Sequence, residues 1–133
     1  MNRNILHLLL FIAASLTLVA CQETLEERCA REARTYTEKK CPTLITEGVM
    51  LDSLTFQQST HTLSYCYTAS DLFDDAQMYI DKDVRGMLLK AVKNEPEMKL
   101  YKEAGYNFRY VYYSKKKSGT KLFDTTFRPK DYK

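Results

Sequence analysis

The fold is decided by residues 106–114, Tyr-Asn-Phe-Arg-Tyr-Val-Tyr-Tyr-Ser, in which large aromatic side chains recur at every second position. Successive side chains of a β-strand point to opposite faces of a sheet. One face of this strand would carry Phe108, Tyr110 and Tyr112, and the other Arg109, Val111 and Tyr113. The alternation predicts a strand whose aromatic face packs into the core of a sheet protein.

Two β-hairpins follow from this strand and from an earlier pair of similar stretches. Residues 106–114 and Lys121–Phe127 flank a polar turn, and Val49–Phe56 and Thr62–Thr68 flank another. All four stretches are rich in β-branched and aromatic residues, which favour strands. The sequence therefore predicts four strands that pair mainly as antiparallel hairpins.

A first helix is predicted to precede the strands. Thr24 and Glu27 have the spacing of a capping box, in which each side chain satisfies the other residue's free backbone amide. Leu25, Cys29 and Ala33 then recur at helical spacing, and a helix cannot continue through Pro42. Because this apolar stripe is narrow and its members are small, the helix should pack on the sheet over little area.

The longest helix is predicted between the two hairpins. It would begin at Ser70 or Asp71 and run to about Asn94, with apolar residues at steps of three and four. Pro96 would start a second, shorter helix that ends at Gly105. The element order is α-ββ-α(α)-ββ.

This order predicts an α+β fold, a two-layer sandwich with helices packed on one face of a roughly four-stranded, mainly antiparallel sheet. Residues 24–128 would form a single domain, and the polar residues 129–133 a flexible tail. The composition, with 44% hydrophobic and 28% charged residues, is that of an ordinary globular protein.

The first 21 residues have the features of a secretory signal. Arg3 precedes an apolar run of 15 residues, Ile5–Val19, and the segment closes with Leu18-Val19-Ala20-Cys21. The alternative is a membrane-spanning helix, which needs about 20 apolar residues. We prefer the secretory interpretation because the run is short and ends in a small residue followed by Cys.

Leu18-Val19-Ala20-Cys21 resembles the lipobox of bacterial lipoproteins. The resemblance implies that residues 1–20 are removed and that Cys21 receives diacylglycerol and an N-acyl chain such as palmitate. Residues 21–23 would then be the lipidated N-terminus and a short tether. Gln22, rather than Asp, follows the Cys, which by analogy with enterobacterial sorting favours the outer membrane, at its periplasmic or surface face.

Three cysteines remain besides Cys21, and an odd number allows at most one disulfide among them. Cys29 and Cys41 would lie about 18 Å apart if both were on one helix, which is beyond disulfide reach. Cys66 is therefore the predicted partner of either Cys29 or Cys41.

No recognisable catalytic or metal-binding pattern occurs in the mature chain. Asp81–Gly86 imitates the start of a calcium-binding EF-hand loop, but Arg85 and Val92 occupy two of its ligand positions. His61 is the single histidine after residue 21, and no Gly-x-Ser-x-Gly or glycine-rich phosphate loop is present. We therefore predict no enzyme, no cofactor and no metal site.

The strongest binding candidate is the aromatic and basic end of the chain. Residues 99–133 contain ten basic and three acidic side chains, which suggests a positive surface that faces something anionic. The alternative is that the lysines only keep the sheet edge soluble. The predicted surface comprises Arg109, Tyr110, Tyr112, Tyr113, Lys115, Lys116 and Lys117.

Such a surface suits a protein, glycan or anionic-lipid partner. Its strand also resembles an RNA-recognition strand, but it lacks that motif's glycine, so we predict no nucleic-acid partner. The sequence thus predicts a small envelope lipoprotein with a non-catalytic binding or interaction module, held to the membrane by its lipid. The alternatives are an enzyme or inhibitor that acts on envelope polymers, and a structural component of an envelope assembly.

Overall fold

A computed structural model of the protein describes residues 22–133. The predicted signal peptide and the predicted lipidation site, Cys21, lie outside the described residues. The domain is α+β, with helices packed against one sheet, as the sequence predicts. Its helices are α1 Leu25–Lys40, α2 Ala76–Asp81, α3 Val84–Asn94, α4 Lys99–Glu103 and α5 Pro129–Tyr132.

The described sheet has five strands, arranged in the order of the chain. They are β1 Thr43–Thr46, β2 Val49–Gln57, β3 Thr62–Ala69, β4 Asn107–Ser114 and β5 Lys121–Phe127. Three of the four neighbouring pairs are antiparallel, and β3 and β4 are parallel. The parallel pair is possible because the chain between β3 and β4 is long enough to cross over, and it contains α2, α3 and α4.

The fifth strand, β1, is a correction to the predicted four. Its four residues follow α1 directly and pair with β2 through a tight turn at Glu47 and Gly48. Gly48 has a φ of +87°, which suits glycine. The strand was missed because it is short and lies at the sheet edge, where Leu44 and Ile45 remain largely exposed.

The longest predicted helix is divided in the structure. A 3₁₀ turn occupies Asp71–Phe73, and α2 ends at Asp81 before α3 begins at Val84. Asp83 sits between them in the left-handed region, with a φ of +47°, and its carboxylate accepts a hydrogen bond from the Gly86 amide at 3.2 Å. A Cβ on Gly86 would collide with this carboxylate. The stretch that imitates a calcium loop is therefore a helix cap.

The aromatic face of β4 lies in the core, as its alternation predicts. Phe108 is fully buried, Tyr110 is 5% exposed and Tyr112 is 8% exposed. The parallel register places Tyr65 beside Tyr110 and Tyr67 beside Tyr112, and the paired rings stack with centroids 4.9 Å and 4.5 Å apart. We call this helix-covered side of the sheet the inner face, and the other side the outer face.

The chain end forms a helix where its polar composition suggested a flexible tail. Pro129 starts α5, and Tyr132 is buried. The Tyr132 hydroxyl donates a hydrogen bond to the Tyr106 carbonyl at 2.7 Å. One aromatic residue near the C-terminus is thus enough to hold these residues against the domain.

Candidate functional site

A cleft of about 320 Å³ lies between α1, the inner face of β2 and β3, and the turn that precedes α4. We call it the α1 cleft. Most of its wall is aliphatic or aromatic, and no lysine or arginine occurs among its described lining residues. The lining is Cys29, Glu32, Ala33, Tyr36, Leu51, Leu54, Leu63, Tyr65, Glu95, Glu97, Met98 and Tyr101.

Small side chains on α1 explain why this space is left. Cys29 and Ala33 are the buried residues of the helix, so its sheet-facing side is thin. The capping box of Thr24 and Glu27 is present and starts the helix where the sequence predicts. The narrow apolar stripe seen in the sequence thus produces a gap between helix and sheet.

Thr37 fixes the distance between α1 and the sheet. Its hydroxyl oxygen accepts a hydrogen bond from the Leu54 amide at 2.8 Å, and the hydroxyl lies 2.9 Å from the carbonyls of both Leu54 and Ala33. The register of β2 shifts between Leu51 and Ser53, just before this contact. β1 pairs with β2 only as far as Leu51, so Thr37 supplies the Leu54 backbone with a partner and anchors one end of the cleft.

Glu32 lines the cleft, and two side chains of the domain donate hydrogen bonds to its carboxylate. Its carboxylate accepts a hydrogen bond from the Tyr101 hydroxyl at 2.6 Å and one from Arg28 at 2.7 Å. Burial opposes ionisation of Glu32, but these two hydrogen bonds outweigh it and lower the pKa of the carboxyl group. Glu32 is therefore ionised at neutral pH, and Arg28 offsets its charge.

Glu95 and Glu97 bring negative charge that no cation offsets among residues 22–133. The Glu95 carboxylate accepts a hydrogen bond from the Glu97 amide at 3.1 Å and so caps the turn Pro96–Met98. Tyr65 lies nearby, and its burial raises the pKa of its phenol. Negative groups around Tyr65, among them Glu95 and Glu97, raise this pKa further. The cleft is thus apolar inside and negatively charged at one side.

The Cys29 thiol at the cleft is protonated and unreactive at neutral pH. Burial, with a further contribution from Glu32, raises its pKa to about 12. The thiolate is the nucleophilic form of cysteine. At neutral pH this side chain is therefore a small apolar wall residue.

The structure separates the predicted binding surface into two parts. Tyr110 and Tyr112 belong to the core and are closed to partners. Arg109 and Tyr113 lie on the outer face, and Lys115, Lys116 and Lys117 form an exposed loop after β4. Period-two alternation correctly assigned the faces, but it could not combine residues of both faces into one surface.

Arg109 is already paired within the domain. Its guanidinium donates two hydrogen bonds to Asp124 on β5, at 2.9 Å and 2.6 Å. Hydrogen bonds from Arg109 and from Lys121 lower the pKa of Asp124 to about 2, although partial burial of the carboxyl group acts in the opposite direction. Of the predicted surface, the three lysines and Tyr113 thus remain available for a partner.

The three described cysteines are free thiols, which corrects the predicted disulfide. Cys66 faces Val111 across the parallel pair, on the outer face. Cys29 lies on α1, at the inner face, so the sheet separates the two sulfur atoms. Spacing in the sequence excluded a disulfide between Cys29 and Cys41. It could not show that Cys66 lies on the sheet face that the helices do not cover.

The cleft residues were missed because they come from α1, β2, β3 and residues 95–101, which are far apart in the sequence. Glu32 and Tyr36 belong to α1, Leu54 and Tyr65 to the first hairpin, and Glu95 to the turn before α4. No motif joins them. The small residues Cys29 and Ala33 at helical spacing were the single local signal of a gap.

The single histidine of the described region lies away from this cleft. His61 stacks on Tyr106, with ring centroids 5.0 Å apart, and its Nε2 lies 3.2 Å from a Glu26 carboxylate oxygen. Within residues 22–133, no three histidine, cysteine or acidic side chains converge to hold a metal ion. Over the same residues, no helix is long and apolar enough to cross a membrane.

The fold and the cleft define a small two-layer α+β domain with a pocket between its longest helix and its sheet. The chain belongs to the family described as Domain of unknown function (DUF8479), whose model matches residues 24–123. No curated protein matches its sequence.

A solved structure shares the fold. It is the crystal structure of a Pseudomonas aeruginosa protein described as secreted, with a TM-score of 0.65 and 14% sequence identity. The match covers 84% of this chain and 100% of that chain. At this identity the likeness shows the fold alone.

Proposed function

We propose that this protein is a bacterial envelope lipoprotein whose domain binds a small ligand in the α1 cleft without transforming it. The observation that carries the proposal is the cleft itself. Its volume of about 320 Å³ falls within the range of small-molecule sites, roughly 300–1,000 Å³, which are mostly apolar with a few polar groups.

The chemistry of the cleft supports binding over catalysis. General acid–base and nucleophilic catalysis need a group whose pKa suits proton transfer or attack near neutral pH. The Cys29 thiol stays protonated because burial raises its pKa to about 12, and burial also raises the pKa of the Tyr65 and Tyr101 phenols. Glu32 is held in hydrogen bonds as an ionised acceptor.

A substitution that fills the cleft with a larger side chain tests the proposal. Ala33→Leu adds three carbon atoms to a lining residue, and Ala30→Leu makes the same change on α1 outside the lining. A fragment mixture, observed by saturation-transfer NMR, should give signals with the parent chain and with Ala30→Leu. Ala33→Leu should lose those signals while its thermal unfolding stays cooperative. Signals that survive Ala33→Leu, or no signals at all, would contradict the proposal.

The anchor of the proposed lipoprotein is Cys21. It is supported by Leu18-Val19-Ala20-Cys21 and by the start of α1 at Leu25, which leaves a short tether. The Pseudomonas aeruginosa protein with the same fold is described as secreted, which fits an exported chain. Several acyl chains hold a protein on a membrane where one chain does not.

Labelling with palmitate tests the anchor. The full chain and a Cys66→Ala control should incorporate the label and fractionate with membranes, whereas Cys21→Ala should do neither. A Cys21→Ala chain that stays with membranes after a high-salt wash would contradict this assignment.

A second candidate is a basic docking surface for an anionic partner, and the loop after β4 favours it. Lys115, Lys116 and Lys117 are exposed, and none forms an ion pair with another described residue. The loop backbone is held in place, because the Lys116 amide donates to Asp74 at 2.9 Å. Charge on a fixed loop is well placed to attract an anionic partner.

Vesicle sedimentation separates this candidate from simple solubility. An unacylated Cys21→Ser chain should sediment with vesicles that contain anionic lipid and not with neutral vesicles. Replacement of the three loop lysines by Gln should abolish that difference, and Lys39→Gln with Lys40→Gln on α1 should preserve it. If the triple variant and the double variant sediment equally, the loop lysines have a solubilising role only.

A further inference from the structure

The α1 cleft combines an apolar interior with an unbalanced negative charge, and this combination points to the chemistry of its ligand. We propose that the cleft takes a small amphiphilic cation, with an apolar body and a single amine or ammonium head. The inference rests on the proposed binding function and specifies its ligand class.

The apolar body is required by the walls. Aliphatic surface comes from α1, β2, β3 and the turn before α4, through Ala33, Leu51, Leu54, Leu63 and Met98. The volume of about 320 Å³ corresponds to about ten water molecules at roughly 30 Å³ each. A ring with a short alkyl chain fills such a space and releases that water.

The positive head is favoured by the charges. Three carboxylates and no basic group line the cleft. Arg28 offsets the charge of Glu32, which also accepts a hydrogen bond from Tyr101, whereas Glu95 and Glu97 have no cationic partner among residues 22–133. A ligand carboxylate or phosphate would meet repulsion there, while an amine would supply the missing partner.

The aromatic rings support the same head group. Tyr36, Tyr65 and Tyr101 all line the cleft. The face of a tyrosine ring attracts cations, by about 0.5–1 kcal/mol at exposed sites and more when water is excluded. Their burial keeps the Tyr65 and Tyr101 phenols neutral, since the pKa of both is raised, so the rings add no charge of their own.

Three probes with one body and different heads test the proposal by calorimetry. They are 4-phenylbutylamine, 4-phenylbutanol and 4-phenylbutyrate, titrated into the mature chain with Cys21→Ser so that acyl chains cannot take up the probe. The amine should bind about tenfold more tightly than the alcohol, as expected for about 1.4 kcal/mol of charge interaction. The carboxylate should bind most weakly, and added salt should reduce the preference for the amine.

The double variant Glu95→Gln/Glu97→Gln should lose the preference for the amine and keep the affinity for the alcohol. Gln at position 95 retains an oxygen that can cap the turn, so the fold is preserved. Glu38→Gln/Glu103→Gln removes the same charge from positions outside the cleft and should leave the preference unchanged.

The outcomes separate the ligand class from the cleft itself. Equal binding of amine and carboxylate, abolished by Ala33→Leu, would overturn the cation and retain the cleft as a binding site. Binding of none of the three probes, or binding that Ala33→Leu does not affect, would overturn both proposals.

Discussion

At the scale of single residues, Tyr106 is the clearest departure from ordinary packing. Its side chain is 2% exposed and stacks on Phe56, His61 and Tyr101, yet its hydroxyl has no hydrogen-bond partner within residues 22–133. A buried polar group without a partner costs about 1–3 kcal/mol. The ring is needed here and the hydroxyl is not.

Tyr106→Phe should therefore raise the free energy of unfolding by about 1 kcal/mol, or leave it unchanged, because only the unsatisfied group is removed. Tyr132→Phe is the matched control, and it should cost about 1 kcal/mol because it removes the 2.7 Å hydrogen bond to the Tyr106 carbonyl. Urea denaturation measures both. Destabilisation by Tyr106→Phe as large as that by Tyr132→Phe would show that the Tyr106 hydroxyl is satisfied.

Asp124 gives the outer face a pH dependence. Hydrogen bonds from Arg109 and then Lys121 lower the pKa of the folded carboxyl group to about 2, below its usual value of 3.8. The contribution to stability is therefore complete above pH about 4 and is lost as the pH falls toward 2. Asp124→Asn should remove part of the loss of stability between pH 5 and pH 2, measured by urea denaturation. Identical pH profiles for the two chains would contradict the pairing.

Residue-level prediction from the sequence was accurate where one local rule acts. The Thr24 and Glu27 capping box and the faces of Phe108 and Val111 followed from spacing alone. Asp124 could not be assigned to Arg109, since that contact depends on the register between β4 and β5. Gly86 lies inside a helical pattern of the sequence, and the close approach of the Asp83 carboxylate to it is visible only in the structure.

At the scale of elements, the contact between α1 and β2 determines the site. α1 packs on β2, and Thr37 is its polar attachment at the irregular register of that strand. Sequence periodicity found the helix and the strand but not this contact, because a hydroxyl that bonds a strand backbone leaves no pattern. The division between α2 and α3 was missed for a similar reason, since the left-handed Asp83 lies inside an otherwise helical pattern.

Thr37→Val should lower the free energy of unfolding by about 1–3 kcal/mol, because it leaves the Leu54 amide without its partner. Thr35→Val changes the same residue type on the same helix where no side-chain hydrogen bond is made with the described residues, and it should cost much less. Hydrogen exchange gives a second readout, since the Leu54 amide should exchange faster in Thr37→Val alone. Equal effects of the two variants would show that Thr37 is not the attachment.

The placement of α1 on one face and Cys66 on the other also predicts the thiol content. Denatured, unreduced mature chain should react with three equivalents of thiol reagent besides Cys21, since Cys29, Cys41 and Cys66 are free. In the native state Cys29 should react last, because it is buried and its pKa is raised to about 12. One equivalent in the denatured chain would indicate a disulfide and contradict this arrangement.

At the scale of the whole molecule, the fold class was predictable and the site was not. Alternating strands and amphipathic helices show that an α+β sandwich must form, because each element has one face to bury. The α1 cleft depends instead on how segments from residue 29 to residue 101 meet. The predicted aromatic and basic surface failed for Tyr110 and Tyr112 because it combined residues of both sheet faces, and these two belong to the aromatic face that lies in the core.

The central claim is that the α1 cleft is a ligand-binding site, and chemical-shift mapping with 4-phenylbutylamine tests it most directly. The account predicts shifts of the amides of Ala33, Leu54, Tyr65 and Met98, which saturate together and are absent in Ala33→Leu. Amides of the outer face, such as Ser64 and Thr126, should not move. Saturating shifts confined to the outer face or to the lysine loop, with the cleft amides unchanged, would contradict the claim.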